Sequence, residues 1–231
     1  MWLCGTWWLG TAHHAQRNPT TLPLAACHHA DCVTGRKLQL WVTNVNVRPL
    51  AIPGVMLIEP TAFWDERGFF SETFNERVLA AGGLQLRFVQ DNHSLSVRPG
   101  VVRGLHFQIP PHAQDKLVRV TRGAIFDVAV DLRVGSPTYG RHVSATISAD
   151  NWLQILVPKG FAHGFCTLEP NTEVLYKVTD YYTPDTERGV RWDDPALGIE
   201  WPVSTSEAIL SPKDATLPPL SSLPPYFSLG G

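Results

Sequence analysis

No run of apolar residues in this 231-residue chain approaches the ~20 positions that a membrane-spanning helix needs, so no membrane partner is expected. The N-terminus does not read as a secretory leader, so none is expected. Trp2, Leu3, Trp7, Trp8 and Leu9 are apolar but interrupted, and no cationic residue precedes them. Neither sign of charge is in large excess: 19 Lys and Arg stand against 21 Asp and Glu, a net charge of -2. The chain has no global basic field to draw nucleic acid, and any cation that matters must act locally, at a site. Cysteine is scarce and unevenly placed. Cys4, Cys27 and Cys32 fall near the start, and only Cys166 lies beyond them. The bulk of the chain therefore lacks a disulfide framework, which points to a reduced, cytoplasmic setting. No internal repeat of solenoid length is present.

What is there suits a globular protein. Apolar residues make up 44% and charged residues 17%, enough to bury a sizeable core. The length fits one large domain, or one domain with an appendage. Residues 1–43 differ in character from the rest. They hold only four charges, Arg17, Asp31, Arg36 and Lys37, and show neither helical nor strand periodicity. Cys27-His28-His29 and Cys32 fit none of the common zinc spacings. The expectation is a poorly ordered extension over 1–43, a folded domain over 44–220 and a C-terminal tail over 221–231.

Strand signals dominate from Gln90 onward. Segments 117–122 and 124–132 meet at Gly123. In the second, Ala124, Phe126, Val128, Val130 and Leu132 share one face while Asp127 and Asp131 share the other. Further strands are expected over 144–148, 153–157, 162–168 and 173–182, with a short helix near 75–81. Many short strands with Gly and Pro turns predict an all-β sandwich or barrel. The stretch from 202 onward is rich in Pro and Ser and is expected to wrap the surface.

Gly100, His106 and Gly123 stand at the spacing of a first cupin motif, and Pro158-x-Gly160-x-x-His163 resembles the second. Together they resemble a double-stranded β-helix, the cupin-like jelly roll, with both histidines in one barrel mouth and short helices at the periphery. A metal-binding cupin carries a second histidine two residues after the first and a Glu soon afterwards. Here Gln108 takes the first position, no Glu lies between Gln108 and Gly123, and Lys116 is the notable charge. A cation is a poor neighbour for a metal ion, so neither metal nor cofactor is expected. Histidine with lysine suits proton transfer, the lysine stabilising a developing oxyanion. The bland reading of His106 alone is a buried, hydrogen-bonded histidine; the crowding of Arg103, His106, Gln108 and Lys116 weakens it. Alternation sets His106 and Gln108 on the face opposite Arg103, Leu105 and Phe107, so Arg103 reaches a shared ligand only from a bend or strand end. Tyr176 reads either as packing or as a proton donor.

Several longer motifs occur in order. They are Phe63-Trp64-Asp65-Glu66-Arg67-Gly68-Phe69-Phe70-Ser71-Glu72, Val89-Gln90-Asp91-Asn92-His93-Ser94 and Val102-Arg103-Gly104-Leu105-His106-Phe107-Gln108. Then come Pro158-Lys159-Gly160-Phe161-Ala162-His163-Gly164-Phe165, Leu175-Tyr176-Lys177, Trp192-Asp193-Asp194-Pro195 and Leu210-Ser211-Pro212-Lys213-Asp214. Each is weak alone. As an ordered set over about residues 46–220 they resemble the dTDP-4-dehydrorhamnose 3,5-epimerase family.

That resemblance implies an isomerase acting on a dTDP-4-keto-6-deoxy sugar, dTDP-4-dehydro-6-deoxy-glucose, in dTDP-L-rhamnose synthesis. Inversion at C3 and C5 is chemically coherent, because both carbons flank the C4 ketone and loss of either proton gives an enolate. The family pattern makes His106 the base, Lys116 the group that holds the C4 oxygen, and Tyr176 the donor on the opposite face. Asp214 is the candidate to orient the imidazole, with Asp127 as the fallback. The same pattern carries Arg67, Glu72, Gln90, Asn92, Arg103, His163, Glu187 and Lys213 into substrate contact, and Phe70 could stack on the thymine. It also implies a homodimer in which Arg67 and Glu72 serve the neighbour's site. Two alternatives stand beside this reading. One is an epimerase of a single centre; the other is a cupin that binds sugar without catalysis or uses a metal.

Overall fold

The computed structural model describes residues 45–230; the extension expected over 1–43, with its Cys and His cluster, lies outside the described residues. Strands β1 (Asn46–Pro49) and β2 (Met56–Glu59) precede a hairpin of β3 (Ala62–Asp65) and β4 (Gly68–Ser71). Helix α1 (Glu76–Ala81) follows, then β5 (Gln90–Ser96), β6 (Val102–Gln108), β7 (Lys116–Arg122), β8 (Ala124–Asp131) and β9 (Arg133–Val134). The remaining strands are β10 (His142–Ser148), β11 (Gln154–Val157), β12 (Phe161–Thr167), β13 (Thr172–Val178), β14 (Glu187–Gly189) and β15 (Phe227–Ser228). The first sheet runs β1-β2-β11-β7-β13-β5 and the second β10-β8-β12-β6-β14. Every neighbouring pair in these two sheets is antiparallel. This is the cupin-like jelly roll, nearly all-β with one short helix among the described residues.

Strand β8 shows why the sequence takes this form. Ile125 and Ala129 face the core between the sheets, while Val128 and Val130 face an outer layer built by Leu197, Ile199, Trp201, Leu220, Leu223, Tyr226 and Phe227. Both faces are covered, so the strand reads as a nearly continuous apolar run. The central core joins Leu57, Val118, Ile155 and Val157 of the first sheet to Ile125, Ala129, Val143 and Ile147 of the second. The outer face of the first sheet is closed by α1 and the chain on either side of it, with Leu79, Phe74, Leu84 and Phe88 against Ile58, Leu117 and Leu156. Asn75 starts the helix, its side chain accepting from the backbone N–H groups of Arg77 and Val78. The segment set apart at 221–231 brings Phe227 within 5.8 Å of the Phe107 ring, and β15 pairs with β9.

Two local expectations change. The strand expected over 173–182 ends at Val178. Beyond it the backbone is held by side chains rather than by a neighbouring strand. Gln114 donates to the Asp180 carbonyl at 2.7 Å, Gln108 donates to the Tyr181 carbonyl at 3.2 Å and accepts from the Thr183 N–H at 2.7 Å. Strand β6 also departs from simple alternation. His106 pairs with His163 and Arg103 with Phe165, so one extra residue of β6 bulges out between them. Gly104 permits this. Its φ is +117°, and a Cβ there would stand 2.7 Å from both the Gly164 Cα and the His163 carbonyl. Among the described residues no helix is long and apolar enough to cross a membrane.

Candidate active site

Where β13 and β5 face β6 and β14, the space between the sheets is not filled with aliphatic side chains. A cavity of about 420 Å³ opens there, lined by Arg103, His106, Lys116, His163, Tyr176, Glu187, Lys213 and Asp214. Ser94, Val101, Val102, Phe165, Ile209, Leu210 and Ser211 complete its wall. A second lobe of about 280 Å³ shares His106, Lys116, Tyr176 and Glu187 and adds Gln90, Asn92, Gln108, Gln114 and Tyr182. The bulge at Gly104 has its consequence here: Arg103 and His106, three residues apart, line the same cavity.

His106 comes from β6 on the second sheet. Its Nε2 lies 2.5 Å from Asp214 Oδ1, in the short turn after Lys213. Asp214 is 4% exposed and is itself fixed, its second oxygen accepting from the Ser211 hydroxyl at 2.8 Å. Burial pushes the Asp214 carboxyl up, but His106, Ser211 and the Lys213 charge outweigh it and hold the acid below its ordinary range. Asp127, the fallback partner, belongs to the other histidine: His163 Nε2 lies 3.0 and 2.9 Å from its two oxygens. The two histidines thus occupy separate carboxylate pairs.

Lys116 enters from β7 of the first sheet, and its Nζ donates to the His106 carbonyl at 3.3 Å. Burial brings its ammonium down to about 8, with the charges of Glu187 and Asp127 opposing the fall. Tyr176 stands on β13. Burial raises its phenol, Arg103 works against that rise and Glu187 adds to it, so the group keeps its proton. Glu187 accepts from Lys213 Nζ at 2.7 Å and from the Tyr182 hydroxyl at 2.9 Å. Arg103 is steadied by Ser96 and by the Leu95 carbonyl, each at 3.2 Å. Gln90 and Asn92 are joined to each other at 2.8 Å on β5.

Three expected contacts are not brought to the cavity. Arg67 and Phe70 lie on the β3–β4 hairpin and Glu72 just after it, and none lines either lobe. Arg67 pairs with Asp65, and Glu72 accepts from Asn75. Conversely, Ser211 and Tyr182 had not been singled out. Ser211 stands three residues before Asp214, a spacing typical of a capping serine, and that pattern could have marked it. Gln108 ties the neighbouring loops, with its carbonyl and amide both committed.

Comparison with known proteins identifies the family. The family model described as dTDP-4-dehydrorhamnose 3,5-epimerase matches residues 49–222. A relative of that name from Sinorhizobium fredii is 55% identical over 178 residues, covering 77% of this chain and 91% of its own. A Bacillus anthracis dTDP-4-dehydrorhamnose 3,5-epimerase, solved with TDP and PPi bound, is 51% identical at a TM-score of 0.74, covering 76% of this chain and 99% of its own. A Legionella pneumophila dTDP-6-deoxy-D-glucose-3,5-epimerase, solved with dTDP-4-keto-L-rhamnose, is 43% identical at a TM-score of 0.77, covering 81% of this chain and all of its own (100%). On the family model's match and these identities, the chain belongs to the dTDP-4-dehydrorhamnose 3,5-epimerase family.

Proposed function

We propose that this chain is a dTDP-4-dehydrorhamnose 3,5-epimerase, an isomerase that inverts C3 and C5 of dTDP-4-dehydro-6-deoxy-glucose without metal or cofactor. The observation that carries the reading is the placement of His106 and Tyr176 on opposite sheets of one cavity, with Lys116 on β7, the strand beside that of Tyr176. A proton can leave one face of a sugar ring toward His106 and return to the other from Tyr176. Asp214 accepts a hydrogen bond from the Nε2–H of His106, which leaves the Nδ1 lone pair as the base. Lys116 meets the C4 oxygen as it gains charge. Arg103 and Lys213 take the diphosphate, with Gln90, Asn92, His163 and Glu187 around the rest of the ligand. Arg67, Phe70 and Glu72 serve the cavity of a second subunit in a homodimer. A cytoplasmic location belongs to the same reading.

Proton NMR in deuterated water, with the dTDP-4-keto sugar as substrate, tests it. Deuterium is expected at both C3 and C5. His106→Ala should slow that exchange by ~10²–10⁴-fold, the range for a general base. Exchange at the wild-type rate in the variant would refute the base assignment, and exchange at one carbon only would make the protein a single-centre epimerase.

A further inference from the structure

We propose that Glu187 keeps the Lys116 ammonium charged inside the cavity, and that Lys213 works against it. The inference rests on the reading in which Lys116 faces the C4 oxygen, and it gives Glu187 an electrostatic role besides ligand contact. An ammonium has three protons to donate, and the hydrogen bond found for Lys116 is to the His106 carbonyl. A partly buried cation so placed tends to shed its proton, which would leave a neutral amine where an oxyanion develops.

The ionisable groups that face Lys116 come from every wall. Arg103 and His106 stand on β6, Asp127 on β8, His163 on β12, Tyr176 on β13 and Glu187 on β14; Tyr182, Lys213 and Asp214 come from the loops. Each of the three carboxylates already holds partners. Asp214 holds His106 and Ser211, and both oxygens of Asp127 hold His163. Glu187 is the carboxylate that lines both lobes together with Lys116. Lys213 and the Tyr182 hydroxyl fix it in place. Burial pushes the Glu187 acid up, yet those partners hold it below the ordinary carboxylate range, so it is an anion at neutral pH. Its charge is the largest influence opposing the loss of the Lys116 proton, and the Lys213 charge acts in the reverse sense.

The test is a pH titration of the Lys116 side-chain nitrogen by NMR in substrate-free enzyme, the signal assigned by its loss in Lys116→Arg. The wild-type midpoint is expected near the value of about 8 that burial sets. Glu187→Gln should lower it by roughly one unit or more. Lys213→Gln should move it upward, and Glu187→Asp, which keeps the charge, should stay close to wild type. A midpoint unmoved in Glu187→Gln, or one that falls as far in Glu187→Asp, would overturn the proposal. So would a downward shift in Lys213→Gln, because general disturbance of the site would then explain both. The alkaline limb of kcat/KM, measured separately, should follow the titration. If the titration moves and the limb does not, the assignment of Lys116 to the C4 oxygen fails while the electrostatic role of Glu187 stands.

Discussion

At Tyr176 both readings, packing and proton donation, have a place in the geometry. The residue packs against the core cluster that contains Val174, and it lines the cavity with His106. Phenylalanine at this position keeps the packing and removes only the proton. In Tyr176→Phe, deuterium uptake into the sugar should remain within ~10-fold of wild type, while net inversion falls by ~10²–10³-fold. The two rates come from one NMR time course, and unchanged epimerisation would make Tyr176 a packing residue. At this scale the sequence exposed the residue types but not their pairing. His106 and Asp214 are 108 positions apart, so spacing could not choose between Asp214 and Asp127. Only the fold does so, by giving Asp127 to His163 across adjacent strands.

Strand β6 shows how an element departs from its own pattern at a functional position. Period-two alternation sends Arg103 and His106 to opposite faces, and the bulge at Gly104 returns them to one. A side chain at Gly104 meets two obstacles at once: a φ of +117° and backbone atoms of β12 at 2.7 Å. Gly104→Ala should therefore cost about 2 kcal/mol or more of stability by urea unfolding. It should also depress kcat/KM with saturating substrate unable to restore the rate, because Arg103 and His106 lose their common face. Wild-type stability and turnover together would show that the bulge is not needed. Elsewhere, alternation was a sound guide: β8 keeps the face assignment read from it, and the helix expected at 75–81 appears with Asn75 as its cap. What alternation cannot convey is what covers each face. The outer face of β8 is apolar because residues of the C-terminal stretch fold back over it, and β13 stops early because Gln108 and Gln114 capture the chain beyond it.

For the whole molecule, the ordered motifs foretold the jelly roll and the family, since those depend on residues held in fixed sequence by one domain. They could not say how Arg67, Phe70 and Glu72 relate to the cavity. These sit on or beside a hairpin that leaves Trp64 67%, Phe69 57% and Phe70 66% exposed, more apolar ring than a free surface usually presents in one place. The homodimer reading accounts for both facts: the hairpin covers its rings on a second copy and carries Arg67 to that copy's cavity. Subunit mixing tests this directly. Arg67→Ala and His106→Ala should each be impaired alone. A heterodimer of the two contains one cavity with His106 and the neighbour's Arg67 both intact. With random exchange half the dimers are mixed, so about a quarter of wild-type cavities should reappear if subunits assemble freely. Sedimentation must show a dimer that exchanges under the assay conditions. Failure of the mixture to exceed the two variants measured alone would place Arg67 outside the neighbour's site.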